Sequence, residues 1–88
     1  MAHVLAKLSG VPLANIQNQL NKDAAAHAEQ GMTLAHLWHN AEKPDEVLFL
    51  FRIEDLDRCR AHMKQIHAKA RQQQPNMPLP ELVFLREP

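Results

Sequence analysis

The chain has 88 residues, enough for one domain with a two-layer core but not for a second domain. Hydrophobic residues make up 45% and charged residues 23%, the balance of an ordinary globular chain rather than a disordered one. Ten basic residues balance ten acidic ones, which excludes the strong positive field that duplex nucleic acid or an anionic membrane surface requires of a partner.

The first predicted element is a short strand over residues 3–8, HVLAKL, ending at Ser9-Gly10. Pro12 suits the first turn of a helix, where its missing N–H costs nothing. Leu13, Ile16, Leu20, Ala24 and His27 then recur at spacings of three and four, predicting one apolar stripe that runs to the helix stop Gly31. The Asn-rich stretch NIQNQLN lowers helix propensity, so a late start or a bend near Asn21 is expected. Residues 32–39 read as a strand and NAEKPDE, residues 40–46, as a turn punctuated by Pro44. The runs on either side of that turn therefore form an antiparallel hairpin. After Ile53, EDLDRCRAHMKQIHAKARQQQ begins with acids and ends with bases, which complements a helix dipole. Asp55 is the expected N-cap. Leu56, Cys59, Met63, Ile66 and Ala70 form the predicted buried stripe, leaving Arg58, Lys64 and Arg71 to solvent. PNMPLP breaks this helix, and ELVFLRE supplies the last strand.

The order βαββαβ predicts an α+β, ferredoxin-like sandwich over residues 1–88, with both helices on one side of an antiparallel sheet. Val47, Leu48, Phe49, Leu50 and Phe51 then pose a problem, because strand alternation turns apolar side chains to both faces. The helices cover one face only. Four strands about 4.8 Å apart and roughly 18–20 Å long leave some 350–400 Å² on the other. If mostly apolar, its burial is worth on the order of 9 kcal/mol per subunit before association costs. A second copy is the simplest cover, since a twofold contact is self-complementary. The competing readings are a bare apolar face or one covered by the C-terminal tail.

With the elements in order, HAEQGMTLAHLWHNAEKPDEVLFLFRIEDLDRCRAHM resembles the dimeric α/β-barrel superfamily, near the antibiotic biosynthesis monooxygenase group. The matching features are the helix ending in Gly31, the strand closing on Trp38-His39, the Pro44 hairpin with Glu46, the apolar strand and the acidic EDLDR helix start. The close PLPELVFL is also similar. The resemblance implies a homodimer whose two sheets pack into a barrel. It also implies activities that range from cofactor-independent oxygenation of aromatic compounds to haem degradation, isomerisation or no reaction at all. The haem degraders use an Asn on the first strand, and HVLAKL has none.

Simple alternation places Leu34, His36 and Trp38 on one strand face and Ala35, Leu37 and His39 on the other. His36 and His39 therefore do not converge on a metal. His36 and Trp38 are candidates to line a pocket inside the barrel, with Lys7 and Arg52 joining them where strand parity agrees. The plainer readings are packing for Trp38 and solvated strand-end charges for Lys7 and Arg52. His27, on the apolar stripe, reads as a core histidine bonded to a carbonyl or a nearby acid. Cys59 and His62 stand at helical spacing but lack a third ligand, so Cys59 reads as space-filling and no metal or cofactor is expected. Gly10 and Gly31 are the only glycines, which leaves no phosphate-binding loop. A lone cysteine forms no intrachain disulfide, MAHVLAKLSG lacks the apolar core of a signal peptide, and no run approaches membrane-spanning length. The expected setting is cytoplasmic, and the expected partners are a second copy and a small apolar or aromatic ligand, with no nucleic acid and no membrane. Two functions stay open, a non-catalytic dimeric module and a barrel acting on such a ligand.

Overall fold

A computed structural model describes all residues 1–88. Its elements are β1 (Ala2–Ser9), α1 (Leu13–Glu29), β2 (Met32–His39), β3 (Glu46–Ile53), α2 (Leu56–Gln73) and β4 (Glu81–Arg86). The strands form one antiparallel sheet in the order β2-β3-β1-β4, the ferredoxin-like α+β arrangement expected of this element order. Neither helix is long and apolar enough to cross a membrane.

The core lies between the sheet and the helices. Val4 and Ala6 of β1 and Val47, Phe49, Phe51 and Ile53 of β3 form its floor, with Met32 from β2, Ile16 and Leu20 from α1, and Cys59 from α2. Alternation turns Leu48 and Leu50 of β3 the other way, so this central strand is apolar on both faces, while β1 adds Leu5 there between His3 and Lys7. That second face has no cover within the chain. Val83, Leu85 and Trp38 on its outer strands are 36%, 40% and 47% exposed.

α1 runs unbroken from Leu13, with Pro12 as the residue that precedes its first turn, so neither the late start nor the bend near Asn21 occurs. Burial of Ile16 and Leu20 outweighs the weak propensity of the Asn-rich stretch. Asp23 takes the half-buried place expected of Ala24, and Ala24 and Leu13 are exposed. On α2 only Cys59 is fully buried, and Ile66 is 43% exposed because a cavity separates this half of the helix from the sheet.

The expectation that Leu34 shares a face with His36 and Trp38 is overturned by a β-bulge. Leu34 opposes Phe51 on the helix side, the register shifts at Ala35, and His36 and Trp38 oppose Leu50 and Leu48 on the open side. The hairpin turn is held by Asn40, whose Oδ1 accepts from the N–H groups of Glu42 (2.9 Å) and Lys43 (3.3 Å) while its Nδ2 donates to Glu46 (3.1 Å).

Asp55 caps α2 as expected, accepting from the Arg58 N–H at 3.1 Å. Arg58 and Arg71 are not merely solvated. The Arg58 guanidinium donates to the Glu29 carbonyl at 3.1 Å, tying the end of α1 to the start of α2, a favourable place for a cation. Arg71 donates to the carbonyls of Pro75 (2.8 Å) and Met77 (3.4 Å), clamping the proline-rich segment onto the end of α2.

Gly10 and Gly31 have φ of 81° and 73°. A Cβ at Gly31 would stand 3.2–3.3 Å from the Glu54 side chain, whereas one at Gly10 would meet nothing within 4 Å. In urea denaturation, Gly10→Ala should therefore cost about 1 kcal/mol of backbone strain. Gly31→Ala should cost more, because Glu54 must also shift.

Candidate functional site

α1 packs on the sheet through Ile16 and Leu20, while α2 touches bottom at Cys59 and diverges beyond it. The space left over is a cavity of about 480 Å³ that opens to solvent, within the size range of small-molecule sites. Val4, Ala6, Phe49 and Phe51 floor it, Met63 and Ala70 roof it from α2, and the segment from Met77 to Pro80 forms one wall.

Its polar groups are few and ordered. Asn15, Gln19, Asp23 and His27 recur every fourth residue along α1, a spacing that stacks side chains on one helix face, and His67 faces them from α2. The Gln19 amide donates to Asp23 Oδ2 at 2.9 Å. The His27 ring meets Phe51 edge-on, with centroids 5.0 Å apart and planes at 71°. It also lines a second cavity of about 320 Å³ between α1 and β2, so it stands where the two meet.

The carbonyl or acid expected to satisfy His27 is not there. Its ring makes no hydrogen bond to the protein, and the Asp23 carboxylate one turn before it accepts from Gln19 through one oxygen. Burial pushes its pKa below the ordinary imidazole value, with the Asp23 charge opposing and His62 reinforcing the shift. His67 is lowered too, by burial and then by Arg71. Burial pushes the Cys59 thiol up, which suits packing rather than nucleophilic use. Nowhere do three His, Cys, Asp or Glu side chains gather in the manner of a metal site.

His36, Trp38, Lys7 and Arg52 all lie on the open face of the sheet, away from this cavity. His36 and Trp38 stack at 4.8 Å with an interplanar angle of 15°. Lys7 lies in the same cross-strand row as Trp38 with Leu48 between them, two strand spacings or roughly 9–10 Å away. Arg52 sits between Thr33 and His3, at the other end of the face. His36 and His39 point to opposite faces, opposing Leu50 and Val47. Of the cavity's polar groups, sequence reasoning singled out only His27. Asn15, Gln19 and Asp23 were detectable as a four-residue polar ladder beside Ile16 and Leu20, whereas nothing local marked His67.

Both lowered histidines bind protons more readily in the unfolded chain. The fold should therefore lose stability as pH falls through their ordinary value of 6.5, and keep what remains above it. Urea midpoints measured from pH 7.5 to 5 should fall for the unaltered protein, and fall less for the double variant His27→Gln/His67→Gln.

Neither a protein-family model nor any curated protein matches the sequence. Its fold is matched by solved structures. A candidate antibiotic biosynthesis monooxygenase from Deinococcus radiodurans superposes with a TM-score of 0.63 at 16% identity, covering 100% of this chain and 93% of that one. An uncharacterized NIPSNAP domain protein from Burkholderia xenovorans superposes with a TM-score of 0.59 at 16% identity, covering 100% and 95%. At such identities the likeness is one of fold, and the chain is a small α+β protein with the ferredoxin-like architecture of these structures.

Proposed function

We propose that the protein is a homodimer, joined through its open sheet face, that binds a small apolar or aromatic molecule in the helix–sheet cavity of each subunit. The observation that carries the ligand is the cavity itself, apolar over most of its wall and supplied with a few polar groups able to orient a guest. The fold likeness to a candidate antibiotic biosynthesis monooxygenase supports an oxygenase- or isomerase-type use of that guest. Residues 1–88 act as one unit in this reading. Its setting is cytoplasmic, in keeping with a lone, buried cysteine.

The dimer rests on the open face. Leu5, Leu48, Leu50, Val83 and Leu85 form an apolar centre across β3, β1 and β4, with Lys7, Glu81, Arg52 and His3 around it. Against a second copy these leucines leave water, and the charges fall at the rim of the contact, where they cost little. A second place for a planar ligand is the space between two such sheets. The stacked pair His36–Trp38 favours it, with Lys7 the nearer cation and Arg52 at the far end of the face.

Four variants separate these parts. Leu50→Glu should give a folded monomer in analytical ultracentrifugation, whereas Phe49→Glu, on the core face, should not fold. Ala70→Phe should fill the cavity and weaken binding of the neutral fluorophore N-phenyl-1-naphthylamine at least about tenfold with its melting temperature retained. If the ligand lies between the sheets instead, Trp38 emission will respond to the fluorophore, His36→Ala will abolish that response, and Ala70→Phe will leave it alone.

A further inference from the structure

We propose that His27 is a general base toward the acidic C–H of an enolisable apolar ketone, a proton-transfer activity that rests on the reading of the helix–sheet cavity as a ligand site. The ring faces both cavities, braced edge-on by Phe51, and no protein group takes up its nitrogens. No buried side-chain nitrogen or oxygen in the protein lacks a partner, so the unengaged His27 nitrogens reach solvent through the cavity and are available to whatever enters it.

Asp23 lies one helical turn before His27 on the same wall, with one oxygen held by Gln19 at 2.9 Å. Its fixed negative charge favours the imidazolium that forms when His27 accepts a proton. The other titratable groups near His27 come from α2, namely His62 and, across the cavity, His67. The sheet presents no titratable group to either cavity, only apolar side chains and Thr33. Burial thus keeps His27 in the neutral, basic form at pH 7, and the carboxylate meets the charge it acquires.

In the step itself, the ligand's α-C–H bond breaks and its proton forms an N–H bond on His27. The electron pair moves into the adjoining C–C bond, leaving an enolate with its charge on the carbonyl oxygen. Return of the proton to the same carbon exchanges hydrogen, and return to a conjugated carbon further along isomerises an unsaturated ketone. No other reactant is consumed. The ladder also favours a long ligand, because Asn15 stands twelve residues before His27, roughly 18 Å along the helix, where its amide can hold a second polar group.

The test uses the full chain and 2-tetralone, a bicyclic ketone with activated C–H bonds, in deuterated buffer. Binding is followed by calorimetry and C–H exchange by proton NMR. The unaltered protein should exchange the ketone saturably and faster than buffer. His27→Asn should lower the rate roughly 100-fold while affinity stays within about threefold. Asp23→Asn should slow exchange and move the acid limb of its pH profile to lower pH, since the charge that raises the His27 pKa is gone; a merely structural role would not move that limb. Should His27→Asn fail to fold, His27→Gln and the Asp23→Asn limb decide. Normal binding with exchange at the buffer rate, or exchange indifferent to the His27 variants, overturns the proposal and leaves the cavity as a binding site. An absence of any binding overturns the cavity reading and this inference together.

Discussion

β3 turns leucines to one face of the sheet and valine, phenylalanine and isoleucine to the other, and β1 and β4 add Leu5, Val83 and Leu85 to the leucine side. A sheet apolar on both faces needs two covers, and this chain has helices for one. α1 fills its share through Ile16 and Leu20. α2 is attached differently, by Cys59 in the core and by an arginine near each end, Arg58 to the last turn of α1 and Arg71 to the proline-rich segment. The helix is pinned at three places, Leu56 and Met63 also pack against the core, and the cavity opens beneath its second half. The cavity and the bare face are thus two results of one shortage of cover.

The bare face and the cavity differ in chemistry. The bare face is broad and leucine-rich, with charges at its margin, which suits another surface of the same kind. The cavity is concave and carries its polar groups on one helix, where the four-residue repeat turns them inward together. Such a recess has the shape of a small-molecule site rather than of a flat sheet-to-sheet contact. His27 gains its character from this placing. A histidine on the solvent side of α1 would titrate with the bulk, whereas here apolar neighbours withhold the proton and Asp23 offers it a partial return.

The topology, the hairpin, the Asp55 cap and the two-faced strand were all legible in the sequence, because each depends on local chemistry or on a period of two. What escaped depends on contacts between distant segments. Leu34 was placed with His36 and Trp38 because strict alternation puts it there; one extra residue at Ala35 reverses it, and no turn or glycine announces the bulge. Ala24 continues the apolar stripe after Leu20 at helical spacing, and Asp23 one residue before it carries no apolar signal. The fold takes Asp23, because that wall faces a cavity rather than packed side chains. The partners of Arg58 and Arg71 are backbone carbonyls, which carry no sequence signal. Parity alone puts His36 and Trp38 on one face, and the strand pairing adds Lys7 and Arg52, whose parity the sequence left open. The cavity on the opposite side was invisible, since it follows from how far α2 stands off and not from any residue in it.

The energy of that stand-off bears on what the cavity holds. A sealed, dry void of about 480 Å³ would cost about 11 kcal/mol at some 24 cal/mol per Å³, as much as the whole stability of a typical small protein. The fold therefore tolerates the space only because it opens to solvent and admits water. Along most of the wall that water finds no hydrogen-bonding partner and is poorly ordered, so an apolar guest displaces it with a gain in affinity. Along the ladder of Asn15, Gln19, Asp23 and His27 it finds partners, and a guest must replace them with polar groups of its own. A molecule that is flat and apolar on one side and carries a carbonyl or hydroxyl on the other meets both conditions. The polar groups of this wall all stand on α1, and His27 is the one histidine among them, so the proposed guest would turn its polar edge toward that residue.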